Sequence, residues 1–82
     1  MTFADPHPAI RTRRARRAQA VLRQLARRPM TTPELERAIR PENLADQDPA
    51  AHGLRVRAAI DRLQREGRLQ PCAQGWRLAD AA

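Results

Sequence analysis

Apolar side chains recur at helical spacing in three stretches of this chain, and the spacing changes near its end. Val56, Ala59, Ile60 and Leu63 fall at i, i+3, i+4 and i+7, which is one face of an α-helix. Ala18, Val21, Leu22 and Leu25 make a second stripe, which predicts a first helix from about Thr12 to Arg28. Leu35, Ala38 and Ile39 make a third, shorter stripe that Pro41 ends. The start of that short helix is doubly marked. Thr31 and Glu34 have the spacing of a capping box, and Met30 and Leu35 that of a hydrophobic staple. Pro33 falls in the first turn, where a missing N–H costs nothing. Beyond Leu63 the pattern shortens. Gly67 supplies a left-handed residue to end the helix, and Leu69 and Leu78 flank a turn that contains Gly75. The expected hairpin runs from Arg68 to Cys72, turns at Ala73-Gln74-Gly75 and returns over Trp76 to Leu78. Pro71 cannot donate to a ladder, so it suits an edge strand.

Two segments break the periodicity. Residues 1–11 begin with MTFADPHPAI, which has two Pro and no apolar repeat, and are expected to be loosely held. Residues 41–48, PENLADQD, form an acidic connection in which Leu44 is the one candidate to turn inward. The third helix starts either at Asp48-Pro49, a cap followed by Pro at the first helical position, or nearer Leu54, because Gly53 weakens the early start. Its full span is about 49–66. With 82 residues the chain makes one domain, 12–82, around a modest core of Leu, Ile, Val and Ala.

A helix that runs through Gly into a small hairpin resembles the second half of a winged helix-turn-helix. Val56, Ile60, Leu63, Gly67 and Leu69 sit at the spacing of the recurring bacterial form of that domain, and the resemblance covers roughly residues 15–79. It implies a mainly α fold with a small β-hairpin: three helices and a C-terminal two-stranded wing. It also implies a short strand near Pro29-Met30 that pairs with the hairpin, and a role in DNA binding as a small transcription regulator of bacterial or phage type. The 41–48 connection departs from the pattern, whose turn is usually three to four residues.

Charge adds a second line of inference. Net charge is +7, sequence pI is near 11.7, and all sixteen basic residues are Arg. A GC-rich genome is a sufficient reason for Arg without Lys; bidentate recognition of phosphate and guanine edges is the functional one. The charge is segregated. Residues 11–28 hold eight Arg and no acid, residues 29–54 two Arg and five acids, and residues 55–77 six Arg and two acids. Two basic segments flanking an acidic middle suit a protein that sets one side on a polyanion.

Catalytic chemistry finds little support. His7 and His52 are the only histidines and Cys72 the only thiol, so no pair has metal-ligand spacing and no internal disulfide is possible. There is no Ser, and the three Gly are too scattered for a phosphate loop. A non-enzymatic protein without cofactor or metal is expected. No apolar run approaches the roughly 20 residues of a membrane span, and no signal-peptide core is present, so the expected compartment is the cytoplasm. One Trp, one Phe and no Tyr leave few platforms for stacking single-stranded bases.

The candidate DNA contacts follow from position. Arg55 and Arg57 lie near the N-terminal half of the third helix, where base edges are read, and Ala51, Leu54 or Ala58 suits a thymine methyl. Arg62, further along, suits phosphate or an ion pair with a helical neighbour, as does Arg65. Arg13, Arg14, Arg16 and Arg17 suit the backbone or the minor groove, although they point in several directions around the first helix. Their crowding costs about 0.2–0.5 kcal/mol for each like-charge pair. Gln74 and Arg77 mark the wing. For each of these residues the plain alternative is a solvated surface side chain; for Trp76 it is a plug under the wing, and for His52 the closing edge of the core. Double-stranded DNA is therefore the expected partner, with a homodimer needed for useful specificity. A protein-interaction module and a structured-RNA binder remain the alternatives.

Overall fold

The computed structural model describes residues 8–41 and 47–79. Helix α1 spans Pro8–Leu25, α2 Thr32–Ala38 and α3 Pro49–Arg65; strands β1, Leu69–Cys72, and β2, Gly75–Leu78, form an antiparallel hairpin. Three helices followed by a two-stranded wing give a mainly helical α+β layout of the winged-helix kind. Helices α1 and α2 both pack on α3, α1 also touches β2, and α3 touches β1.

The core is shared by every element. Val21 and Leu25 come from α1, Leu35 from α2, Val56, Ile60 and Leu63 from α3, Leu69 from β1, and Met30 and Ile39 from the connections. Ala18, Leu22, Ala59, Trp76 and Leu78 pack around them at partial burial. The stripes predicted for α1 and α3 are therefore the faces that the fold buries.

Local chemistry sets the ends of the elements. Thr31 caps α2: its Oγ1 accepts from the Glu34 N–H at 3.2 Å, and its own N–H donates to Glu34 Oε1 at 2.9 Å. Arg28 Nη1 donates to the other carboxylate oxygen at 3.1 Å. The Thr31 N–H, and after it the Arg28 guanidinium, hold the Glu34 carboxyl below its ordinary pKa. Helix α3 ends in a Schellman motif. Gly67 takes φ +77° and donates to the Gln64 carbonyl, while the Arg68 N–H donates to the Leu63 carbonyl, both at 2.9 Å.

Several boundaries differ from the sequence expectation. Helix α1 begins at Pro8 rather than near Thr12, since Ala and Arg are good helix formers and Pro suits a first helical turn. It stops at Leu25 rather than Arg28, because Pro29 disfavours the helical conformation at Arg28. Helix α2 stops at Ala38, before Pro41. Ile39 turns extended, at φ −94° and ψ 126°, and becomes the buried residue, while Ala38 is left exposed. Helix α3 does begin at Pro49 and runs through Gly53. There the absence of a side chain lets the Glu36 carboxylate of α2 pass against the α3 backbone, where a Cβ would collide with Glu36 Oε1. The expectations for residues 1–7 and for Leu44 lie outside the described residues.

The expected first strand is reduced to one bridge, in which Met30 N donates to Trp76 O at 3.1 Å and Trp76 N donates to Met30 O at 2.7 Å. Trp76 Nε1 donates to Thr32 Oγ1 at 3.0 Å, so the indole is tied to the start of α2. Gly75 is the first residue of β2 rather than the last of the turn, with φ +116°; an added Cβ would meet the Met30–Thr31 backbone. Because Trp76 spends its backbone groups on Met30, its partner across the hairpin, Pro71, belongs to a non-hydrogen-bonded pair. The Pro71 nitrogen therefore faces the open edge of β1.

Candidate nucleic-acid interface

Helix α3 has two unlike sides. Its inner side, Val56, Ile60 and Leu63, is 0–3% exposed. Its outer side carries Ala50, Leu54, Arg55, Ala58, Asp61, Arg62 and Arg65, all exposed. Leu54 is 63% exposed, and among the described residues it is the one large apolar side chain left to solvent.

The two arginines proposed for base contact are placed differently. Arg55 lies on the exposed side. Arg57 is directed toward α2: its Nε donates to the Gly53 carbonyl at 3.2 Å and stands 3.9 Å from Glu36 Oε1. It is still exposed, but a base contact would require it to leave this position. Arg62 pairs with Glu66 at 3.1 Å and Arg65 with Asp61 at 3.0 Å, both one turn apart on α3. Exposed pairs of this kind contribute about 0–1 kcal/mol, so a phosphate can compete for either guanidinium.

The α1 cluster does not present one surface. Arg14 and Arg16 are exposed, Arg13 is half-buried, and Arg17 is only 7% exposed. That corrects the assignment of Arg17 to a phosphate-gripping group. It lies four residues before Val21, on the stripe that faces the body of the protein. Arg17, Ala20, Arg23 and Gln24 line a cleft of about 300 Å³ together with Ile39 and Arg40. On the wing, Gln74 is exposed at the turn and Arg77 on β2. With the Gln70 amide oxygen turned toward it, Arg77 Nη2 donates to that oxygen at 2.8 Å across the hairpin.

A buried polar joint links α2 to α3. His52 is 7% exposed, and its Nε2–H donates to the Glu36 carbonyl at 3.0 Å; a carbonyl only accepts, which fixes the tautomer. Nδ1 is buried without a hydrogen-bond partner. His52 thus closes the edge of the core, as its place one turn before Val56 suggested. The Glu36 side of this joint had no sequence signal, since it depends on how α2 crosses α3. The signal for Arg17 was present, in its helical spacing from Val21.

Among the described residues no group of His, Cys, Asp and Glu is placed to hold a metal ion, and no helix is long and apolar enough to cross a membrane. No protein-family model, curated protein or solved structure matches the chain.

Proposed function

We propose that this protein binds double-stranded DNA with sequence preference and acts as a small, non-enzymatic transcription regulator in the cytoplasm. The observation that carries the reading is the two-sided α3. Its inner face is consumed by the core, and its outer face stands in solvent on a segment, 55–77, with six Arg against two acids. A helix of that kind can enter a major groove without disturbing the fold. Arg55 is the first candidate for a base edge. Arg62, Gln74 and Arg77, with Arg14 and Arg16 of α1, are candidates for backbone phosphates. One small domain reads few base pairs, so two copies on two half-sites are expected.

The test is retention of a random duplex pool at two salt concentrations, followed by sequencing. An enriched motif with two-fold symmetry is expected. Binding that weakens with salt and enriches nothing would reduce the protein to a polyanion-binding surface, and absence of binding at low salt would overturn the reading. A second reading, a protein-interaction module, is favoured by Leu54 alone. It predicts that Arg55→Ala with Arg57→Ala leaves partner binding unchanged, whereas the DNA reading predicts loss of sequence preference.

A further inference from the structure

We infer that the cleft between α1 and the end of α2 binds a small phosphate monoester with a short apolar body. Its lining joins three guanidiniums, Arg17, Arg23 and Arg40, to the small or apolar side chains of Ala20, Ala38 and Ile39, and includes no acid. Arg17 and Ile39 are buried and form the inner wall, while Arg23 and Arg40 stand exposed at the mouth. Neither Arg23 nor Arg40 makes a hydrogen bond or ion pair with any described residue. Arg17 is engaged within the fold, and its several N–H donors allow it to be shared. No residue of α3 or of the wing lines the cleft, so the inference does not depend on the DNA reading.

Unanswered charge points to the ligand. On α3 the exposed Arg57, Arg62 and Arg65 each stand near a carboxylate. At the mouth of the cleft no described carboxylate plays that part, and two guanidiniums face one space beside a third. A guanidinium presents a planar fork of donors that matches the oxygens of an oxyanion in pairs. Three such groups suit a phosphate monoester, with its charge of about −2 near neutral pH, better than a singly charged carboxylate. Behind the head group, Ala20, Ala38 and Ile39 offer carbon alone. The size follows from the volume of about 300 Å³: water takes about 30 Å³ per molecule in the liquid, so the cleft has room for roughly ten heavy atoms. Inorganic phosphate would fill about half of that, and a phosphate on one six-membered ring would fill it.

The test is calorimetric titration of the protein with phenyl phosphate and with inorganic phosphate at constant ionic strength. Saturable binding of one phenyl phosphate per chain is expected, with inorganic phosphate weaker by about tenfold for want of the ring. Arg23→Gln and Arg40→Gln should each weaken phenyl phosphate by about tenfold, the effect of one charge-assisted hydrogen bond. Arg14→Gln, on α1 but outside the cleft, should leave it unchanged. All three positions are exposed, so the fold is retained. Saturating duplex DNA should leave phenyl phosphate bound; complete displacement would assign the cleft to a phosphate of the DNA backbone and overturn the inference. Binding that does not saturate, equal affinity for inorganic phosphate, or the same loss in Arg14→Gln as in the cleft variants would mean diffuse charge without a site, and overturns it as well.

Discussion

Helices α1 and α3 are nearly the same length, 18 and 17 residues, and both are rich in Arg, yet they are built on different terms. Helix α3 offsets its charge locally: Asp61 and Glu66 answer Arg65 and Arg62, and Glu36 of α2 lies near Arg57. Its C-terminus is closed by a left-handed Gly67. Helix α1 has no acid within its span and ends without a left-handed residue. Charge repulsion within α1 is therefore tolerated because Val21 and Leu25 anchor its second half in the core. A shared composition thus has two uses. In α3 it is arranged for a defined helix with a solvent face, and in α1 it concentrates positive charge at some cost to the helix itself.

The contrast can be broken most severely at the core side of α3. Leu63 is 1% exposed, and Leu63→Ala should cost about 2–5 kcal/mol, read as a lower urea midpoint for the whole domain. A midpoint unchanged within error would mean that α3 does not organise the core. Next in size is the helix end. Gly67→Ala forces a side chain to φ +77°, and a loss of about 1–2 kcal/mol in thermal unfolding is expected.

The cap of α2, which positions α3, supplies the next effect. Thr31→Ala should cost about 1 kcal/mol. The Glu34 pKa is lowered in the fold, so its contribution is complete above the ordinary carboxylate pKa and is lost as pH falls through the depressed folded value. Stability profiles of the parent and Glu34→Gln should therefore converge under acid; a difference that persists to the lowest pH would show that the carboxylate is not engaged. The smallest effect belongs to α1. Arg14→Ala removes the like-charge i,i+3 pair with Arg17 and should stabilise the domain by about 0.2–0.5 kcal/mol at low salt. The gain should fade at high salt, where such repulsions are screened. A destabilisation instead would show that Arg14 is held by a favourable interaction in the fold.

Much of this arrangement is legible in the chain because it is governed by near neighbours. The capping box needs only Thr31 and Glu34, the Schellman end only Gly67, and the buried side of α3 only the spacing of four residues. Features that depend on one element crossing another are not written locally. The passage of Glu36 over Gly53, the tether from Trp76 to Thr32 and the turning of Arg57 toward α2 are of this kind. Arg17 is an intermediate case. Its spacing from Val21 points inward, but its charge argues for solvent, and burial follows the geometry.

The placement of Pro71 has a consequence for behaviour at high concentration. A hairpin edge with free donors and acceptors is a template on which a second chain can add a strand. On the open edge of β1 the position opposite Trp76 has no N–H to offer, and the strand is only four residues long. The other side of the hairpin is closed at Trp76 by Met30. The wing thus offers an incoming strand a missing donor on one side, at Pro71, and a closed bridge on the other, at Trp76.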